Sequence, residues 1–371
     1  GFGYGAAHQQ APAQTPMWHA GQRSRGGGIG TYIALGVVGF ASLWGLWIVL
    51  TQVGPAPAVI GFVAALIPLV AVVAAVMWLD RWEPAPRVML LIALPWGAGV
   101  SVVLSFYGNT AVSQAVFDAS GDVVAADIIG TVISAPVVEE TTKGLGVLLI
   151  FLLRRKYFDG VVDGIVYAAM VAAGFAFTEN ILYFGRAVDV LPPIFLIRGV
   201  MSPFAHILFT ASIGIALGIA SRHRNAFAAW WLFPLGLLGA MALHALWNGA
   251  GSLGMVTGSE STFFVVYGLV QIPLFVAAVV LVIWLRRQES AVIRARLTEY
   301  QGAGWFAPHE IEMVASLSLR SQARSWAARL GPNAAAAMKR FQKDATSLAY
   351  MRQRAVSGRA DLRTHGASEQ E

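Results

Sequence analysis

Residues 56–79 read APAVIGFVAALIPLVAVVAAVMWL, a long stretch without a single charged side chain. A helix needs about 20 predominantly apolar residues to cross the hydrocarbon core of a bilayer. Similar apolar runs cover about 28–53, 88–107, 128–153, 161–184, 193–221, 227–250 and 263–285. We therefore predict an all-α, polytopic integral membrane protein with about eight transmembrane helices.

The overall composition agrees with this prediction. The chain is 57% hydrophobic and 12% charged, whereas a soluble domain carries roughly 25% charged residues. The lack of cysteine excludes a disulfide framework, a thiol nucleophile and a thiolate metal site. The net charge of +6 comes from basic residues beside the apolar runs, as membrane topology requires. We expect a multi-pass protein of the cell membrane whose partner is the lipid bilayer and not nucleic acid.

The basic residues also predict how the chain is oriented. They accumulate in alternate connections, at Arg23 and Arg25, Arg81 and Arg87, Arg154 to Lys156, Arg222 and Arg224, and Arg286 and Arg287. The remaining connections contain Arg186 as their only basic residue. Because cytoplasmic loops carry the excess of Lys and Arg, both termini are predicted to be cytoplasmic.

Three regions follow from the change in composition along the chain. Residues 1–27 are rich in Gly, Gln, Pro and Ala, which indicates a disordered cytoplasmic tail. Residues 28–287 form the predicted transmembrane domain, in which 109–127 is interpreted as a long extracytoplasmic loop. Residues 288–371 are basic and partly helical. Their aromatic side chains either pack a helical hairpin or lie on anionic lipid, or the tail simply anchors the last span.

The fourth predicted span contains three ionisable residues, Glu139, Glu140 and Lys143. An ionisable group at bilayer depth is costly and usually faces a bundle interior or a water-filled cavity. Adjacent helical residues point in different directions, while Lys143 lies within reach of both carboxylates. Either the three form a neutralised group that fixes helix register, or one carboxylate faces a cavity.

The next three spans each contribute further polar groups. Glu179 and Asn180 lie in the fifth, His206 in the sixth, and His244 and Asn248 in the seventh. Each has a structural interpretation, as a buried hydrogen-bonded group or an interhelical contact. His244 and Asn248 share one helical face, which also suits two donors for a developing oxyanion.

The depths of these residues predict that they meet. With the predicted orientation and a rise of 1.5 Å per residue, they lie roughly 7 to 20 Å below the outer surface. That range is compatible with one water-filled cavity in the outer half of the membrane. None of them is expected at the cytoplasmic edge.

The ordered set of motifs resembles the PrsW family of intramembrane proteases over about residues 30–290. The motifs are Glu139-Glu140-x-x-Lys143, Phe175-x-x-x-Glu179-Asn180, His206 and His244-x-x-x-Asn248. This family is related to the CAAX prenyl endopeptidases and bacteriocin-processing proteins, which usually have Arg after the Glu pair and His in place of Glu179. The resemblance implies peptide hydrolysis without a cofactor. It also implies a single-pass membrane protein as substrate, with an anti-sigma factor as the family expectation.

The resemblance also implies roles for individual residues. Glu139 would be the general base, Glu140 would orient or tune the site, and His206 would assist the water or the leaving amine. His244 and Asn248 would stabilise the oxyanion. The candidate catalytic residues are therefore Glu139, Glu140, Glu179, His206, His244 and Asn248, supported by Lys143 and Asn180.

Two other functions remain open from the residues alone. Three glutamates and two histidines are also able to bind divalent metal ions in a membrane hydrolase, although no H-E-x-x-H spacing occurs. A chain of Glu and His would equally suit a proton-coupled transporter. Against the transporter, the spans show no paired inverted segments, and the polar residues stop short of the cytoplasmic side.

Overall fold

The computed structural model describes residues 29–155, 158, 160–223 and 227–357, which fold into helices without any β-strand. The α-helices are α1 (Ile29–Val53), α2 (Pro55–Leu79), α3 (Arg87–Pro95), α4 (Val102–Ser120), α5 (Val123–Ile129), α6 (Ala135–Leu153), α7 (Val161–Arg186), α8 (Leu191–Phe195), α9 (Ala205–Ser221), α10 (Ala228–Thr257), α11 (Glu260–Val266), α12 (Ile272–Gln301), α13 (Pro308–Ala315), α14 (Leu317–Arg329) and α15 (Pro332–Val356). The predicted tail at 1–27, the basic residues Lys156 and Arg224, and residues 358–371 lie outside the described residues.

Seven helical segments within the described residues are long and apolar enough to cross a membrane. They are Ile29–Val53, Pro55–Leu79, Arg87–Ser120, Val161–Arg186, Val188–Ser221, Ala228–Gly254 and Ser261–Gln301. The prediction of an all-α polytopic membrane protein is thereby confirmed. The remaining predicted span is also helical, but α6 carries Glu139, Glu140 and Lys143, so its composition alone does not qualify it as a span.

The predicted loop at 109–127 is wrong, because this segment is almost entirely helical. Helix α4 continues to Ser120, and α5 begins at Val123. Gly121 makes the turn between them with a left-handed φ of 67°, a conformation that glycine adopts without steric cost. The Asp122 side chain then caps α5 by accepting the backbone N–H of Val124 at 2.8 Å. One helical hairpin therefore replaces the expected loop.

Helix α7 lies at the centre of the transmembrane bundle, since 78% of the residues in its 18-residue apolar stretch are buried. It packs against α2, α3 and α9. The approach to α9 requires glycine on both sides, because a Cβ added to Gly164 would lie 2.0 Å from the carbonyl oxygen of Gly214. Small residues allow such backbone contact between membrane helices. This packing places Glu179 of α7 near the first turn of α9.

Short π-helical stretches precede two of the helices that carry polar residues. Gly130–Ser134 leads into α6, and Leu196–Met201 leads towards α9. Such stretches are frequent at functional sites because they re-aim the side chains that follow. Here they precede Glu139 and His206 by roughly one to two helical turns.

The last four helices form a second core beside the transmembrane bundle. Helix α12 continues well beyond Arg286 and Arg287; α13 and α15 pack on this extension, and α14 packs on α13 and α15. The core is built from aliphatic and aromatic side chains, including Trp82, Ile293, Leu297, Val314 and Ala349. Because Trp82 lies just after α2, the second core is attached directly to the transmembrane helices.

Candidate active site

A cavity of about 230 Å³ collects the polar groups of five different helices, α4, α6, α7, α9 and α10. Its lining includes Asn109, Glu139, Glu179, His206, His244 and Asn248. Five of the six predicted catalytic residues therefore line one cavity. The sixth, Glu140, is fully buried behind it. Residues that the sequence places on separate predicted spans therefore lie together in one site of the folded protein.

Glu139 has one carboxylate oxygen in use and one free. Its Oε1 atom accepts a hydrogen bond from Asn109 Nδ2 at 3.3 Å. Its Oε2 atom is buried and has no hydrogen-bond partner. Lys143 Nζ lies 3.7 Å from this oxygen, and His244 Nε2 lies 3.9 Å from it. A buried acceptor without a partner is costly, so the arrangement is typical of a site made to receive another group.

Glu140 is fully engaged by contrast. Its Oε1 atom accepts Lys143 Nζ at 2.6 Å and lies 3.0 Å from His244 Nδ1. Its Oε2 atom accepts the Thr210 hydroxyl at 2.8 Å. With Nδ1 donating to Glu140, the imidazole of His244 turns Nε2 towards Glu139. Glu140 thus sets the orientation and tautomer of His244.

His206 has its own carboxylate partner in Glu179. The Nε2 atom of His206 lies 2.9 Å from Glu179 Oε2. The guanidinium of Arg198 also pairs with Glu179, donates to Asn180 Oδ1 at 2.9 Å, and stacks over the Tyr183 ring at 3.8 Å. Each of the two histidines is therefore held by one glutamate, and one of those glutamates is in turn held by an arginine.

Lys143 links these two halves of the site. Its side chain is fully buried, and Nζ lies 3.1 Å from His206 Nδ1 as well as against Glu140. The ammonium also lies 4.1 Å from the centroid of the Phe175 ring, a favourable cation–π distance. Lys143 supplies the positive charge that accompanies the buried carboxylates of α6.

Three of the groups are close enough to hold a metal ion. Glu139, His206 and His244 each offer one ligand atom, and these atoms lie within 4.8 Å of one another. One carboxylate and two imidazoles are a donor set that suits zinc in catalytic sites. At His244 the carboxylate of Glu140 contacts Nδ1 and matches the outer-shell partners that orient metal-bound imidazoles. At His206 Glu179 contacts Nε2, and the remaining nitrogen, Nδ1, lies 3.1 Å from Lys143 Nζ, which an ion at this nitrogen would displace. The free Oε2 atom of Glu139 completes a site whose residues fit a divalent ion.

Asn248 and Asn180 have defined partners at the edge of this cluster. Asn248 lines the cavity and donates from Nδ2 to the carbonyl of Thr131 at 2.8 Å. Asn180 is buried and accepts from Arg198. An amide group has two N–H donors, so the hydrogen bond to Thr131 leaves Asn248 one donor. Its predicted contact with an oxyanion remains a prediction.

Several residues of the site were missed at the sequence level. Asn109 holds Glu139, and its own Oδ1 atom accepts the Ser134 hydroxyl at 2.9 Å. Asn109 fell in the segment interpreted as a loop, which concealed it. Arg198 and Thr210 were also missed, although an arginine inside a predicted apolar span is a usable signal.

The fold and the site together are an all-helical membrane domain that gathers carboxylates, imidazoles and a lysine around one cavity. A family model described as PrsW family intramembrane metalloprotease matches residues 85–283. The chain therefore belongs to the PrsW family, and the resemblance predicted from the motifs is confirmed.

Three curated relatives give the same result. The chain is 29% identical over 154 residues to Protease PrsW of Clostridioides difficile, which is 41% of this chain and 63% of that protein. It is 30% identical over 165 residues to Protease PrsW of Geobacillus kaustophilus, covering 43% and 68%. Protease PrsW of Bacillus subtilis is 32% identical over 117 residues, covering 31% and 51%.

The chain thus spans about half to two thirds of the length of these relatives. No solved structure matches the chain. The family model covers α3 to α10 and the apolar part of α12. Every residue discussed above as part of the site lies within the matched range.

Proposed function

We propose that this protein hydrolyses a peptide bond of another membrane protein in the cavity between α6, α7, α9 and α10. The observation that carries the proposal is the Oε2 atom of Glu139, which has no partner of its own. It is surrounded by two imidazoles and a lysine. Peptide hydrolysis needs a water molecule activated beside the scissile carbonyl, and this cluster provides acceptors and positive charge at one point.

Glu139, His206 and His244 would hold the divalent ion that the family description implies. When bound, such an ion acts as a Lewis acid on the scissile carbonyl and makes the attacking water more acidic. Glu140 and Glu179 keep the two imidazoles in their working orientation. Glu179, whose side chain is 20% exposed, holds Arg198 and His206 through Oε2. Its other oxygen, Oε1, would take the proton of the water and return it to the leaving amine.

The remaining polar groups bind the substrate around the scissile bond. Asn248 has one N–H left after its bond to Thr131, and this donor stabilises the developing oxyanion. Arg198 keeps Glu179 in place through their ion pair. Trp247 forms an aromatic wall of the same cavity and packs against the substrate backbone.

A second arrangement uses the same residues without an ion. Lys143 Nζ already lies 3.7 Å from Glu139 Oε2 and 3.1 Å from His206 Nδ1, so it supplies positive charge where an ion would. In this arrangement Glu139 is itself the general base, as the sequence predicts, and a positioned base contributes about 10²- to 10⁴-fold to the rate. Sensitivity to chelators separates the two arrangements.

The substrate we propose is a single-pass membrane protein cleaved near its extracytoplasmic end. The distribution of Arg and Lys supports this, because it predicts that both termini are cytoplasmic and that the cavity lies in the outer half of the membrane. An anti-sigma factor is the expectation from the family.

A survey of new N-termini in the membrane proteome tests this function. Cells with the native chain are compared with cells carrying Glu139→Gln, and Glu312→Gln serves as a matched control because Glu312 is exposed and far along the chain. We expect new termini near the outer end of single-pass segments in the native and control cells only. Identical termini in all three strains, with equal amounts of folded protein, would refute the peptidase.

A further inference from the structure

Helix α14 carries an apolar stripe that points away from the protein. Leu319, Trp326 and the capping residue Leu330 are 39%, 54% and 63% exposed. Their spacings of seven and four residues place them on one helical face. The neighbouring face, about 100° around the helix, is buried, because Ala327 and Arg320 are 1% and 7% exposed. The helix is therefore amphipathic, and its core-facing side is already occupied.

The core-facing side fixes how α14 sits on the rest of the chain. Arg320 donates to the hydroxyl of Thr346 at 2.8 Å, and its guanidinium lies 5.7 Å from the centroid of the Trp82 ring. Gln342 of α15 donates to the carbonyl oxygen of Arg320 at 3.0 Å. These contacts turn the stripe outwards and hold it there.

The first turn of α14 lies close to the level at which the chain leaves the membrane. The Ser290 hydroxyl donates to the carbonyl of Ala315 at 2.7 Å, and α14 begins two residues after Ala315. Ser290 is three residues beyond Arg287, where the apolar part of α12 has ended. At 1.5 Å per residue this offset is about 4.5 Å, less than one helical turn. Trp82, which α14 also approaches, directly follows the membrane helix α2.

The charge of α14 matches a negatively charged surface. Besides the buried Arg320, the helix contains the half-buried Arg324 and the exposed Arg329, and it has no acidic residue. The cytoplasmic leaflet of a cell membrane is anionic and attracts basic segments beside a membrane span. Apolar side chains on one face and arginines beside them are typical of helices that lie in the membrane interface.

We propose that α14 binds the anionic surface of the same membrane, with Leu319, Trp326 and Leu330 inserted among the lipid headgroups. The last helices then form a membrane-bound module that fixes the cytoplasmic ends of α2 and α12. The inference is independent of the peptidase activity. It uses the predicted cytoplasmic position of the last helices, which determines that the facing leaflet is anionic.

The lack of cysteine in this chain permits a direct test. Leu330→Cys is labelled with an environment-sensitive fluorophore in the full-length protein, with one chain in each lipid nanodisc. Ala337→Cys on the exposed side of α15 is the matched control. Nitroxide-labelled lipid is the quencher, and discs of phosphatidylcholine are compared with discs that also contain phosphatidylglycerol.

We expect the label at position 330 to be quenched several-fold more than the label at 337. The difference should grow with phosphatidylglycerol and shrink in high salt, because salt screens the attraction. Trp326→Ala should weaken quenching at 330 while leaving the label at 337 unchanged, which also reports that the module remains folded. Equal quenching at both positions in anionic discs overturns the proposal. So does a label at 330 that is shielded from water but not reached by lipid, since protein would then cover the stripe.

Discussion

Among the described residues, Glu139 in α6 and the half-buried Glu289 in α12 each have one buried carboxylate oxygen without a hydrogen-bond partner. The free oxygen of Glu139 lies beside a polar cavity, next to His206, His244 and Lys143. Glu289 accepts a hydrogen bond from Tyr350 at 3.1 Å where α12 meets α15. Within the described part of the chain, Glu139 and the two histidines form the one group of three with metal-binding distances. Burial of a carboxylate therefore does not define a site, whereas convergence of several groups on a free oxygen does.

The largest effect expected from this comparison is on the rate of cleavage. Glu139→Gln should lower cleavage of a co-reconstituted substrate by about 10²- to 10⁴-fold, whichever role the carboxylate has. Glu289→Gln should leave the rate within about three-fold, since a change far from the reacting groups does not alter their positions. The measurement is the initial rate of product formation in nanodiscs. If the Glu289→Gln protein is folded and as inactive as Glu139→Gln, the cavity at Glu139 is not the region on which cleavage specifically depends.

The second-largest expected effect is that of removing divalent ions on the rate of cleavage. If Glu139, His206 and His244 hold an ion, dialysis against a strong chelator should abolish cleavage, and zinc should restore it. Mass spectrometry of the purified protein should find about one ion per chain, and none after His244→Ala. Full activity in the ion-free protein would instead support Glu139 as the base, with Lys143 as the local positive charge.

Loss of the hydrogen bond from Asn109 to Glu139 Oε1 should have an intermediate effect on the rate of cleavage. Asn109→Ala removes the bond to Oε1, so the carboxylate is free to rotate. Loss of such an outer-shell contact typically costs about 10- to 100-fold in activity or metal affinity. Gln114→Ala, also on α4 but bonded to the exposed Asp118, is the control and should be neutral. Equal rates for both variants would show that Asn109 does not position Glu139.

The smallest effect concerns stability at the membrane junction, where Asp80 follows α2. Burial raises the pKa of Asp80 from 3.8 to about 6, and the hydrogen bond from the Ala85 N–H opposes part of this rise. The folded state thus binds the proton more tightly than the unfolded state. The stabilisation is present in full below about pH 4 and is lost as the pH rises through 6.

Asp80→Asn should therefore raise the free energy of unfolding at pH 7 to 8 by about 1–3 kcal/mol and have little effect near pH 4. Thermal unfolding in detergent at several pH values measures this difference, and cleavage activity should not change. A variant that is less stable at neutral pH would mean that the charged form of Asp80 is the stabilising one.

Much of the fold follows from the sequence because apolar runs of membrane length have few alternatives in a bilayer. The segment 109–127 was misinterpreted because its polar composition is typical of a loop. Its helical structure depends on the Gly121 turn and the Asp122 cap, which are short-range features of a few residues. The helical structure of α6 was predicted from its flanking apolar residues, in spite of Glu139, Glu140 and Lys143.

The candidate site could be predicted in part for a related reason. Ionisable residues inside apolar runs are rare, so Glu139, Glu179, His206 and His244 stood out individually. Asn109 and Ser134 did not, since their importance depends on the approach of α4 to α6 in the folded protein. The contacts of Glu140 with His244 and of Glu179 with His206 were not predicted either. They join residues on different helices, and the spacing of residues along the sequence does not give the distances between helices.

The most direct test of the central claim is cleavage of a single-pass substrate in nanodiscs prepared in H₂¹⁸O. The account predicts two fragments, with ¹⁸O in the new carboxyl group of the N-terminal one, and no fragments with Glu139→Gln. An intact substrate would contradict it, above all if the native chain in sealed vesicles carried protons in a manner that depends on Glu139. The polar cluster would then be a proton pathway and not a hydrolytic site.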